Sequence, residues 1–89
     1  MRMLTALRAR LRQLEPVLSR LQREEDEAYR RWQRARYEAD DMIVIHGSDP
    51  GAFGPDSPIT AARTRADARY REMAAAISAR ERFQQTGGH

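Results

Sequence analysis

The stretch HGSDPGAFGPDSP, from His46 to Pro58, decides the fold: it holds three of the chain's five glycines and three of its four prolines. Proline removes a backbone donor, glycine opens positive φ, and the aspartates and serines between them bond back to their own backbone, so such a run turns rather than extends. On both sides the residues change to Ala, Leu, Arg, Glu and Gln, the strongest helix formers. The chain therefore reads as an all-α, coiled-coil-like antiparallel helical hairpin. One domain over residues 1–89 is expected, with a helix at about 3–46, the loop at 47–57, a second helix at about 58–85 and a short tail at 86–89.

Upstream of the loop, apolar residues recur every three or four positions: Leu4, Leu7, Leu11, Leu14, Leu18, Leu21, Ala28, Trp32, Ala35, Ala39 and Met42. Of the 12 positions this template visits between 4 and 42, only Glu25 is polar. A phase held for so long marks a coiled-coil seam. Pro16 lies opposite the seam, where it either kinks one helix or opens a new one after a break at Leu14 or Glu15, and the unbroken phase favours the kink.

Downstream, Ser57 is placed to cap a helix whose first residue is Pro58. The apolar stripe there is Ile59, Ala62, Ala66, Tyr70, Met73 and Ile77, with Phe83 near the end. Its spacing is closer to an eleven-residue repeat than to a heptad, so this helix is expected to supercoil less. Folding the two stripes together sets Met42 near Ala62, Ala39 opposite Ala66, Ala35 opposite Tyr70, Trp32 opposite Met73 and Ala28 opposite Ile77, large against small. The polar seam residue Glu25 then faces Arg80, the first polar break in the second stripe. That pair is expected to set register more than to add stability, since desolvation offsets much of the attraction.

In this register Leu18 faces Gly87, so Leu4, Leu7, Leu11 and Leu14 run past the end of the second helix. A stripe of four leucines is more than a monomer ordinarily exposes. Dimerisation, a different helical protein partner, or folding back at Pro16 would each cover it, and a homodimer is the first expectation. Ile43, Val44 and Ile45 add a second cluster, because with Met42 they make the helix apolar all round just before the loop. Such a helix is usually buried: either the loop folds back over it with Phe53 as the cover, which is the first expectation, or a second molecule covers it.

All 16 basic residues are arginine, and they are not evenly spread. Residues 1–36 carry ten Arg and five acids, residues 37–58 five acids and no Arg, and residues 59–89 six Arg and three acids, giving +5, −5 and +3, which sum to the net +3. The loop end should be acidic and the open end basic. Arginine grips phosphate bidentately, so Arg20, Arg23, Arg30 and Arg34 on the first helix, with Arg63, Arg65 and Arg69 on the second, form the candidate nucleic-acid footprint. Interleaved acids weaken that alternative: Asp26 with Arg30, Glu27 with Arg31 and Asp67 with Arg71 are spaced as helical ion pairs. The N-terminal stretch has arginines beside its leucines, but the phase it shares with the following turns favours a coiled-coil arm over membrane-surface binding.

Candidates for chemistry are few. With no cysteine there is no disulfide, thiolate zinc site or thiol nucleophile. His46 lies beside Asp49 but reads as a helix-end residue. Asp40 and Asp41, being adjacent, point to different faces, and Gly47, Gly51 and Gly54 lack the spacing and lysine of a phosphate loop. The Trp-x-Gly that marks small secreted helical hairpins is absent, since Trp32 is followed by Gln33 and Arg34. No cofactor, metal or catalysis is expected. The expected function is a cytoplasmic, non-enzymatic interaction module, an adaptor, chaperone or inhibitor. Its contacts are assigned to Leu4, Leu7, Leu11, Leu14, Leu18, Ile43, Val44 and Ile45.

Overall fold

A computed structural model describes residues 2–86. Two helices, α1 (Arg2–His46) and α2 (Pro58–Gln85), pack against each other, and the described residues contain no strand. The Cα envelope measures 74 × 16 × 13 Å and the radius of gyration is 20.3 Å. A compact chain of this length would have a radius of gyration of only about 12 Å. The hairpin is therefore a rod, and each helix has a single packed side.

α1 passes through Pro16 without a break, so residues 2–15 do not fold back as a third helix. The loop that follows is a chain of tight turns rather than a slack connection. Backbone N–H groups of Asp49, Ala52, Gly54 and Ser57 each donate to the carbonyl three residues earlier, at 2.9–3.1 Å. Gly51 sits at φ 70°, in the left-handed region, where a side chain would be strained. Gly47 ends α1 by donating to the Ile43 carbonyl at 2.8 Å, and a Cβ at position 47 would collide with that same oxygen.

α2 starts as its sequence dictates. Ser57, at φ −77° and ψ 155°, accepts the Thr60 backbone N–H on its hydroxyl at 3.2 Å, while Pro58 occupies the first turn, where its missing N–H leaves no bond unmade. The Ser57 hydroxyl donates to Thr60 Oγ1, which in turn donates to the Gly54 carbonyl at 2.7 Å, tying cap to loop.

The core is thin and made mostly of alanine: Ala28, Ala35 and Ala39 on α1, Ala52 in the loop, and Ile59, Ala62 and Met73 on α2. Among the described residues only Ile59 is large and fully enclosed, at 0% exposure. Small residues bring the helices close. The seam's aromatic residues lie at its margin: Trp32 is half-buried, with Tyr70 edge-on at 5.9 Å and the Arg36 guanidinium 5.6 Å from its ring centre. Tyr70, expected in the stripe opposite Ala35, is exposed, because a two-helix seam flanked by alanines is too narrow to enclose a phenol.

Candidate interaction surfaces

The register of the hairpin is held at two points. Near the open end, both guanidinium nitrogens Nε and Nη2 of Arg80 donate to the two Glu25 carboxylate oxygens, and Nη1 donates to Gln84 Oε1 at 2.7 Å. Both charged side chains are three-quarters buried. Hydrogen bonding to Glu25 raises the Arg80 guanidinium above its ordinary value, burial opposes this, and the charges of Glu25 and Glu81 add to it. A raised folded-state value means that this contribution is whole below the ordinary arginine range and is lost only as the pH climbs through the raised value. Across neutral pH, therefore, Arg80 stays charged. Nearer the loop, Arg65 Nη2 donates to Glu38 Oε1 at 2.7 Å. The sequence carried a signal for this second bridge, since Glu38 and Arg65 lie within two positions of the register that pairs Glu25 with Arg80.

Beyond α2 the arm of α1 stands without an intramolecular cover. Leu4, Leu7 and Leu11 are 61%, 54% and 51% exposed. Leu14 and Leu18 are half-buried and, with Leu11, Phe83 and Gln84, line an apolar groove where α2 ends. Gly87, expected opposite Leu18, lies outside the described residues, as do Gly88 and His89. The arm leucines continue the same seam that Ala28, Ala35 and Ala39 bury further along.

At the other end, Ile43 is half-buried, but Val44 and Ile45 are 85% and 63% exposed. The loop does not fold back over them. Phe53 instead lies beneath Arg63, whose guanidinium is 5.3 Å from the ring centre, and is itself more than half exposed. It is Ala52, not Phe53, that the loop buries. Along the outer side of α1 a shallow groove runs from Arg30 and Arg34 past Tyr37 and Asp41 to Met42 and Ile45, a surface that seam-based reading passes over because none of these residues except Met42 belongs to the stripe.

Of the arginines in the nucleic-acid footprint, three are engaged by carboxylates: Arg20 with Glu24 at 3.8 Å, Arg65 with Glu38, and Arg69 with Glu72 at 2.9 Å. Arg63 is stacked on Phe53. Arg23, Arg30 and Arg34 form no ion pair among the described residues. Among the expected local pairs, Glu27 and Arg31 approach to 4.0 Å. Arg71 turns to the Asp67 backbone carbonyl instead, at 3.4 Å, and Asp26 does not reach Arg30.

One end groove gathers His46, Asp49 and Ser57, residue types that elsewhere make a nucleophile, base and acid. His46 Nδ1 and Asp49 Oδ2 are 3.0 Å apart. Ser57, however, is buried, accepts the Thr60 N–H and donates to Thr60, so its hydroxyl is committed to the helix cap rather than to His46. Among the described residues there is no cluster of three metal-ligating side chains, and no helix is long and apolar enough to cross a membrane. The chain matches no protein-family model, no curated protein and no solved structure.

Proposed function

We propose that this chain is a non-enzymatic protein–protein interaction module, working as an adaptor, chaperone or inhibitor, whose N-terminal leucine arm docks on a helical surface of a second copy or of another helical protein. The observation that carries this reading is the exposed run of Leu4, Leu7 and Leu11, which continues a buried seam past the point where α2 stops. The surface area points the same way. The chain exposes 7155 Å², whereas a compact monomer of its 10.3 kDa mass exposes about 5,400 Å². The excess, roughly 1,800 Å² for one chain, is about twice the 800 Å² or so that each partner loses in a standard interface.

Replacing Leu7 and Leu11 by Asp, both at exposed sites that the hairpin does not need, tests this. Loss of assembly by light scattering, with helix content retained, is the expected result. An unchanged mass would remove the arm from the contact. The nucleic-acid alternative predicts retention on heparin that falls steeply with salt; with three of its seven arginines held by carboxylates, weak retention is expected, and strong retention would favour that alternative instead.

A further inference from the structure

One face of α1 carries a charge pattern that the hairpin does not use. Starting at Leu4 and stepping four, four and three residues, it passes through Arg8, Arg12, Glu15 and Ser19, then Arg23, Asp26 and Arg30, and ends at Ile45 by way of Arg34, Tyr37 and Asp41. Every residue on this path is exposed. Steps of four, four and three make an eleven-residue repeat, close to the natural period of a straight α-helix, so these residues form one unbroken line along the rod. The charged residues on it form no ion pair among the described residues.

The line is complementary to itself when reversed. We propose that two copies associate through this face in an antiparallel, two-fold symmetric dimer, each arm lying on the loop end of the other. The proposal rests on the reading of the arm as a contact surface and names its occupant. In the register that sets Leu4 against Ile45 of the second copy, Arg8 meets Asp41 and Arg12 meets the ring of Tyr37. Nearer the centre Glu15 meets Arg34, Ser19 meets Arg30, and Arg23 meets Asp26 across the two-fold axis. Symmetry repeats each of these contacts. The exposed Leu4 and Leu11 of each arm come to the exposed Tyr37, Val44 and Ile45 of the other tip, and the basic arm comes to the acidic loop end.

Most neighbouring registers bring like charges together. Sliding one copy by three residues in one direction sets Arg12 against Arg34 and Arg23 against itself. In the other direction a slide of three sets Asp26 against itself, and a slide of four sets Arg23 against Arg30. The remaining slide of about one turn, which sets Leu4 against Asp41, keeps a single kind of opposite-charge contact, Glu15 with Arg30. A parallel pairing sets every charge against its own copy. Like charges brought together at an interface discriminate strongly against the wrong arrangement, which is how surface charge sets register even where it adds little affinity.

Two experiments test the arrangement. In the first, light scattering follows mass against concentration for the wild type, Arg8→Asp, Asp41→Arg and the two combined. The wild type should reach twice the chain mass and go no higher. Each single reversal places two like-charge contacts in the dimer and should weaken it about a hundredfold. The combined variant should recover to within about tenfold of wild type, and an equimolar mixture of the single variants should dimerise, because both of its contacts are again opposite in sign. In the second, the absence of native cysteine makes an introduced pair unambiguous. Leu4→Cys/Ile45→Cys should form a disulfide-linked dimer on mild oxidation, whereas neither single variant should, since like positions lie roughly 60 Å apart in the proposed pair. Cross-linking of Leu4→Cys alone, a wild type that stays monomeric, or a combined reversal that fails to recover would overturn the proposal. If Asp41→Arg keeps the wild-type mass while Leu7→Asp/Leu11→Asp is monomeric, the arm remains the contact and only this partner surface is wrong; if Leu7→Asp/Leu11→Asp also keeps the mass, the reading of the arm itself fails.

Discussion

Ile59→Ala should be the most damaging conservative change in the hairpin. Among the described residues Ile59 is the one large side chain with no exposure, and it sits in the first turn of α2 at the closed end of the rod. Truncation to alanine removes three carbons, worth roughly 0.8 kcal/mol each in lost transfer energy, or about 2.4 kcal/mol. A cavity contribution adds to this, but it should be small, because a rod 16 × 13 Å in section has little structure around the gap to resist collapse. A total of about 3 kcal/mol follows. For a domain of this size that lowers Tm by roughly 12–24 °C. Phe53→Ala is the paired control: it deletes a larger side chain from a site that is 55% exposed, where the ring contacts Arg63, and should cost only about 1 kcal/mol. Thermal and urea unfolding followed by far-ultraviolet circular dichroism, at one fixed low protein concentration so that association does not shift Tm, measures both. A cost for Phe53→Ala equal to that of Ile59→Ala would refute the argument, since it would mean that the loop aromatic, not the helix-start isoleucine, closes the hairpin.

Two further outcomes follow from the same geometry. Ser57→Ala removes the acceptor for the Thr60 N–H and the link from cap to loop, and should lower unfolding free energy by about 1 kcal/mol in the same assay; no change would mean that the capping bond adds nothing to the loop's own turns. Glu25→Leu and Arg80→Leu should each destabilise by stranding a charge three-quarters buried, while the double variant should lose less than the two combined, and strictly additive losses would show that the pair carries no coupling.

Much of this architecture is legible in the sequence, and the parts that are not share a physical reason. Helix ends are local: the Ser57-Pro58 cap and the glycine after His46 depend only on neighbouring residues, so their signals are strong. The register was also legible, because one polar intrusion in each stripe, Glu25 and Arg80, leaves a single alignment in which both are answered. The direction of Phe53 was not legible. A loop aromatic can turn to either side of its turn, and the choice fell to Arg63, a residue of the next helix. That the loop leaves Val44 and Ile45 uncovered has a related reason. The rule that a helix apolar all round is buried presumes a core on several sides, and a two-helix hairpin encloses only one. The Arg71 side chain shows the limit of spacing rules: its position three to four residues from a carboxylate allowed an ion pair, yet the backbone carbonyl of Asp67 was the nearer acceptor.

The elongation of the hairpin has a consequence for how it moves. A rod more than four times longer than it is wide, 74 Å against 16 Å, sweeps out the volume of a much heavier sphere as it tumbles end over end, and spins quickly about its long axis. It will emerge from a sizing column ahead of globular proteins of its own 10.3 kDa mass, as though it were already an oligomer. Pairing two such rods side by side thickens them while adding little to their length. The friction per chain therefore falls on association, and an antiparallel dimer should sediment distinctly faster while its elution position scarcely changes.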